Sequence, residues 1–261
     1  MIAHDNLEEF QDPANYDLEE IPRSLARIGF YVDLARRVGG PVLELACGSG
    51  IVALPVARAG LHVTGIDLSE PMLRHAQHKA ATEGLQGMTR WMHGNAMRTQ
   101  VEGDSRFRFV FITGNAFQAF LTTADQEALL ANVKRHLHPD GVFAFETRNP
   151  TGNDLSDIEQ EEPWDSFTNT AGQRVTLTGT QHFDASRQLM HWTTFRRWHD
   201  VTAQQCTTTR IACKFTLPAE LDALLQHCVF EVTERHGDWD RSAFTARSEH
   251  IISVCRFAKS R

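Results

Sequence analysis

Gly48, Gly50, Ala53 and Asp67 are the residues whose types and spacing point most directly to chemistry. They lie in VLELACGSGIVALPVARAGLHVTGIDLS, residues 42–69, which leaves an apolar run through a glycine turn, enters a helically spaced segment and returns to an apolar run that stops at an acid. Gly48-Ser-Gly50-Ile-Val-Ala53 satisfies G-x-G-x-x-G/A, a turn whose glycines let backbone approach a ligand. Asp67 follows roughly 20 residues on, where a carboxylate can accept both hydroxyls of an adenosine ribose. By itself this fingerprint fits NAD as well as other adenosine ligands.

Glu44, in the run before the turn, tilts the choice. Flanked by Val42, Leu43 and Leu45, its carboxylate is costly unless a cation or hydrogen-bond donor meets it. It would repel the pyrophosphate of a dinucleotide, whereas S-adenosylmethionine brings an ammonium and a sulfonium to this end of a sheet. Displacement at a sulfonium carbon mainly needs alignment and exclusion of water, and a base helps where the nucleophile carries a proton. The candidates for that base are His182, His236 and Asp238, with His191 behind them. Trp164, Trp192 and Trp239 are candidate walls for an acceptor, Trp198 shares a strand face with Trp192, and Arg148, on the substrate side, is equally placed to pair with a carboxylate there or with the acidic loop at 159–162.

Other chemistries lack their residues. His75 and His78 have no third ligand and no H-E-x-x-H, so they read as an exposed helix face and no metal site is expected. Ser49 follows Cys47-Gly48 and is not in G-x-S-x-G. Five cysteines without a C-x-x-C pair indicate neither a disulfide framework nor a zinc ribbon. A net charge of −7 disfavours nucleic acid as a partner, and Arg196-Arg197 reads as a solvated strand edge. The first 20 residues are acidic without an apolar core, and no apolar run of 18 residues occurs, so no membrane association is expected and a cytoplasmic location is.

The elements that must position these residues read as α/β. Residues 21–38 are helically spaced and stop at Gly39-Gly40. Apolar runs near 42–46, 61–66, 88–92, 107–113 and 141–146 alternate with helical segments, as in a parallel sheet covered on both faces. Residues 149–172 are acidic and turn-rich, which predicts a loop or lid. RVTLTGTQHFD, QLMHWTTFRRWH and QCTTTRIACKF predict an inserted three-stranded antiparallel sheet. A helix over 217–228 follows, then two strand-like runs joined by a long turn, which suits an antiparallel end to the sheet.

With these residues quoted, the chain resembles the class I S-adenosylmethionine-dependent methyltransferases. VLELACGSG is similar to their first motif, GIDLSEPML to the second, HGNAM to the third, and FITGNAFQAF and HLHPDGVFAFE to the fourth and fifth. The resemblance covers about residues 16–148 and the part from about 216. It implies a Rossmann-like, doubly wound, mostly parallel sheet with an antiparallel last strand, formed by 1–148 and 216–261, with 149–215 as an inserted β-sheet substrate or lid subdomain. It implies S-adenosylmethionine as cofactor, with Glu44, Ala46, Gly48 and Gly50 at its methionine part and Asp67 on the ribose. Leu68, Met72, Asn95, Ala96 and Met97 would border the adenine, with Asn95 standing where the family often has Asp, and Asn115 would face the sulfonium. Tyr16-Asp17 matches a segment that closes over the cofactor in a subgroup acting on small molecules, sugar N-methyltransferases included. The nucleic-acid amino-methyltransferases of the superfamily carry an Asn/Asp-Pro-Pro-aromatic tetrad after the fourth strand, where this chain has GNAFQ. The expectation is methyl transfer to N or O of a small molecule, with a homodimer kept open. A non-methyl sulfonium reaction, a non-catalytic cofactor-binding protein and an NAD-dependent oxidoreductase are the alternatives.

Overall fold

In the computed structural model, which describes residues 6–102, 106–150, 155–199 and 205–258, the five apolar runs form parallel strands. These are β1 (Val42–Leu45), β2 (Val63–Asp67), β3 (Thr89–His93), β4 (Phe107–Ile112) and β5 (Leu137–Arg148). The chain then builds a separate antiparallel meander of β6 (Ile158–Thr168), β7 (Arg174–Asp184), β8 (Leu189–Trp198) and β9 (Gln205–Lys214). It returns to the first sheet through β10 (Phe230–His236) and β11 (His250–Phe257), giving the order β10-β11-β5-β4-β1-β2-β3. β11 runs opposite to the other strands of this sheet, pairing antiparallel with both β5 and β10.

Helices α1 (Pro13–Val38), α2 (Ala53–Arg58), α3 (Glu70–Thr82), α4 (Thr123–His136) and α5 (Pro218–His227) cover the seven-stranded sheet. Phe30, Tyr31 and Leu34 of α1 and Val56 of α2 bury Phe109, Phe111 and Ala144 on one face. Leu129 and Val133 of α4 and Leu221 and Leu225 of α5 bury Leu43, Val110, Phe143 and Phe145 on the other. Coverage of both faces is why β1 and β4 are mostly apolar, interrupted only by Glu44 and Arg108, rather than alternating. Among the described residues no helix is long and apolar enough to cross a membrane.

Two elements differ from expectation. Helix α1 begins at Pro13, capped by Asp12, whose carboxylate accepts the Asn15 N–H at 3.2 Å. Its first two turns carry no apolar stripe, and Pro22 imitates a start signal inside the helix. The acidic stretch expected to be a loop contains β6, so the inserted sheet has four strands rather than three. Nearly every residue of β6 is exposed; a charged, exposed edge strand lacks the apolar alternation by which strands are read and blocks pairing with other chains.

The opposite edge, β9, is covered by side chains of the N-terminal segment. Asn6 both donates to the Ala212 carbonyl (2.7 Å) and accepts its N–H (2.9 Å), and Glu8 in the short turn Glu8–Phe10 accepts the Arg210 N–H at 2.9 Å.

Glycine is required under the motif turn by close packing. A Cβ at Gly65 of β2 would stand 2.7 Å from Cys47 Sγ and 2.8 Å from the Trp91 ring. Gly65→Ala is therefore expected to cost about 1–3 kcal/mol, read as a fall in Tm of about 2–4 °C per kcal/mol for a chain near this size. Part of that loss should return in a Trp91→Phe background; an equal loss in both backgrounds would remove the ring contact as its cause.

Candidate functional site

Adjacent strands β1 and β4 send their connections in opposite directions, and in doubly wound sheets ligands bind beyond the carboxyl ends of the strands at this point. A cavity of about 830 Å³ opens there. Residues following β1, β2, β3 and β4 form its floor, α1 and the N-terminal segment one side, and the inner face of the four-stranded sheet the other.

The floor is built around two buried acids. Glu44 and Glu146 are each 1% exposed. Glu44 Oε1 accepts the Thr113 hydroxyl at 3.0 Å, while its Oε2 is buried with no partner. Burial holds this carboxyl's pKa up at about 8, against the pull of Thr113 and the nearby Arg27 guanidinium. Glu146, at the end of β5, accepts the Tyr31 hydroxyl and the N–H groups of Gly114 (2.5 Å) and Asn115 (3.4 Å). These bonds hold the turn after β4, in which Asn115 takes a left-handed conformation (φ 57°) that asparagine tolerates better than most residues.

Asp67 closes the glycine turn onto β2. Its oxygens accept the N–H groups of Gly48 (2.7 Å) and Ser69 (2.8 Å), leaving lone pairs for a ligand. Gly48 has φ +53°, and nothing lies within 4 Å of where its Cβ would stand, so its backbone is open to the cavity. An unmet buried carboxylate oxygen, open glycine backbone and an acid at the end of β2 fit a ligand with a cationic end and a ribose. They do not suit a pyrophosphate, which would meet Glu44 and Asp67.

The structure brings most of the anticipated residues to this one cavity. Tyr16, Glu44, Ala46, Gly48, Asp67 and Leu68 line it, as do Met72, Asn95, Ala96, Met97 and Asn115. So do Arg148, Trp164 and Trp192, which were expected to meet an acceptor. Gly50 is not on the wall: with φ +75° it lies over Trp91, whose ring a Cβ would approach to 2.7 Å. Trp239 packs instead on Phe30, Tyr31 and His250, with ring centroids 5.8, 6.1 and 5.3 Å away.

The proposed bases also lie elsewhere. Gln181 on β7 faces the cavity, so strand alternation turns His182 to the other side, where its Nδ1 lies 3.1 Å from Asp157. His236 Nε2 lies 3.2 Å from Glu234, and Asp238 accepts the Trp239 N–H at 2.7 Å within the last turn. Among the described residues, no histidine lines the cavity and no three His, Cys, Asp or Glu side chains cluster as metal ligands.

Several residues at the site had no role in the sequence reading. Glu146 carried the signal that exposed Glu44, an acid inside an apolar run (Phe143-Ala-Phe145), and could have been found by it. Arg196 is no solvated edge: its guanidinium donates to Glu9 (2.6 Å) and Glu19 (3.1 Å), binding the sheet to α1 and the segment before it. His75 is no exposed face either. Together with Lys79 (2.5 Å) and Ser49 of the glycine turn it meets the buried Asp17 carboxylate, at 3.1 Å. No sequence spacing signals this four-way contact, because it joins three elements far apart in the chain.

Asp17→Ala leaves those three partners unmatched and is expected to lower unfolding free energy by about 3 kcal/mol in denaturant titration. A loss below about 1 kcal/mol would place the cluster with ordinary surface pairs.

A family profile described as a methyltransferase domain matches residues 42–141. The cypemycin N-terminal methyltransferase of Streptomyces sp. is 27% identical over 224 residues, covering 83% of this chain and 82% of that protein. The CcbJ methyltransferase of Streptomyces caelestis superposes with a TM-score of 0.82 at 25% identity, over 98% of this chain and 100% of its own. The sugar N-methyltransferase KedS8 of Streptoalloteichus sp. ATCC 53650 shares the fold, with a TM-score of 0.68 at 18% identity over 92% of each chain. The five ordered motifs, the cavity at the strand-order reversal and these likenesses make the chain similar to the S-adenosylmethionine-dependent methyltransferases, with a methyltransferase domain at residues 42–141.

Proposed function

We propose that this methyltransferase acts on an amine nitrogen of a small molecule. The observation that carries the choice of nitrogen is the acceptor side of the cavity, where Trp164, Trp192, Ile211 and Arg148 form the wall and no described lining residue is an imidazole. A hydroxyl needs a base as it attacks, whereas a neutral amine presents a lone pair unaided. The relative named as an N-terminal methyltransferase points the same way.

S-adenosylmethionine, when bound, supplies an electrophilic methyl group on a cationic sulfur. The chain's own residues do the rest. Asp67 accepts the ribose hydroxyls, Leu68, Met72, Asn95, Ala96 and Met97 border the adenine, and Glu44, Ala46 and Gly48 take the methionine end. Tyr16, partly buried and in edge contact with Phe10 at 5.6 Å, covers the cofactor side. Asn115, held by Glu146, faces the reacting end. The described part of residues 149–215 serves as the acceptor-binding subdomain of a cofactor domain made from 1–148 and 216–261. Alignment of this kind can supply roughly 7–11 kcal/mol of the barrier reduction.

The reading is tested by measuring S-adenosylhomocysteine release against amines of several classes (amino sugars, amino acids and a peptide N-terminus), each paired with its hydroxyl analogue. Product should form with an amine and not with its hydroxyl partner, and Asp67→Ala should lose S-adenosylhomocysteine binding and turnover together. Turnover of the hydroxyl member instead, or cofactor consumption without S-adenosylhomocysteine, would overturn it.

Glu44 adds a pH signature. Its carboxyl keeps its proton up to about pH 8 in the free protein, and an ammonium placed at Oε2 favours the ionised form. Binding of S-adenosylmethionine at pH 7 should release close to one proton, and affinity should rise up to about tenfold per pH unit below pH 8. Calorimetry in two buffers of different ionisation enthalpy reads this directly. Glu44→Gln should abolish the proton release; its persistence would assign the proton to another group.

A further inference from the structure

We infer that the acceptor carries an anionic group, a carboxylate or a phosphate, and that Arg148 is its receptor. The inference rests on the proposed methyl transfer to a small molecule and specifies what else that molecule must present.

Charge pairing within the cavity carries the argument. Four arginines reach its wall: Arg23, Arg27, Arg148 and Arg196. Arg196 is matched by Glu9 and Glu19, Arg23 by Glu19, Glu20 and Asp165, and Arg27 lies 3.9 Å from Glu20. Arg148 has no carboxylate partner among the described residues, although seven acidic side chains line the same cavity. In a protein of net charge −7, a cavity arginine left without a counterion is an exception to the local pattern.

The guanidinium is also held ready. Its carbon lies 5.2 Å from the centroid of the Trp192 ring, which covers one face and leaves the N–H edge for a ligand. Trp192 is fixed in turn, donating from Nε1 to Gln181 Oε1 at 3.1 Å. The Arg148 backbone is pinned twice, by register with His250 of β11 and by its N–H donating to Gln118 Oε1 at 3.0 Å. A planar fork on a rigid support suits the two oxygens of a carboxylate or phosphate. Its position at the end of β5, away from the Asp67 side of the sheet, assigns it to the acceptor rather than to the cofactor.

Binding can be read without turnover, so that failure here is separable from failure of the amine assignment. Protein labelled with 15N-tryptophan and saturated with S-adenosylhomocysteine is titrated with sodium acetate, with sodium phosphate, and with sodium chloride at matched ionic strength. Trp192→Phe assigns the Trp192 indole resonance. A saturable shift of that resonance with acetate or phosphate, absent with chloride and reduced at least tenfold in apparent affinity by Arg148→Gln, is expected; acetate favoured over phosphate indicates a carboxylate acceptor and the reverse a phosphorylated one. S-adenosylhomocysteine binding should be unaltered in Arg148→Gln, which shows the variant folded, and Arg148→Lys should retain an intermediate response. No shift beyond that of chloride, or the same shift in Arg148→Gln, would overturn the inference.

Discussion

Burial of two carboxylates at the ends of parallel strands is the constraint on which the site depends. Glu44 and Glu146 sit where an uncompensated charge costs several kcal/mol, and their surroundings are arranged to meet that cost. Tyr31 comes from α1, Thr113 and the Gly114–Asn115 N–H groups from the turn after β4, and Arg27 from α1 again. Satisfying Glu146 therefore fixes both the left-handed turn at Asn115 and the seat of α1 on the sheet. Glu44 is left one bond short, and that deficit is what a cationic ligand can fill.

Helix α1 connects this floor to everything above it. Its middle supplies Tyr31 and Arg27, its first turns supply Tyr16 and Asp17, and Glu19 reaches the inserted sheet at Arg196. The helix thus touches the glycine turn, helix α3, the buried acids and the four-stranded sheet. The strand-end floor and the four-stranded sheet share α1 as one wall of the cavity, and a shift of α1 alters both sides at once.

The parallel sheet was legible because its central strands are buried on both faces and read as mostly apolar runs. The cavity floor was legible for a related reason: glycine turns and acids at strand ends are local patterns, and of the residues expected at the cofactor all but Gly50 line the cavity. Gly50 shows the limit of such patterns, since the same glycine can answer to a ligand or to a ring packed beneath it, here Trp91. The candidate bases and Trp239 lie off the cavity because their settings depend on strand parity and on the course of the last turn, which decide that His182 faces away, that His236 and Asp238 are engaged near that turn, and that Trp239 packs inward. Strand β6 was hidden by its acidity, and the contacts of Asp17 and Arg196 by sequence separations that no spacing rule reaches.

The covering of β9 by Asn6, Glu8 and Glu9 has a bearing on the molecule outside catalysis. A bare edge strand is a template for another chain, and here its pairing groups are engaged by side chains rather than by a further strand. The opposite edge is guarded by charge on β6. Trimming the residues before Phe10 would leave the central cores intact while uncovering one adhesive border, so colloidal behaviour would deteriorate before fold stability did.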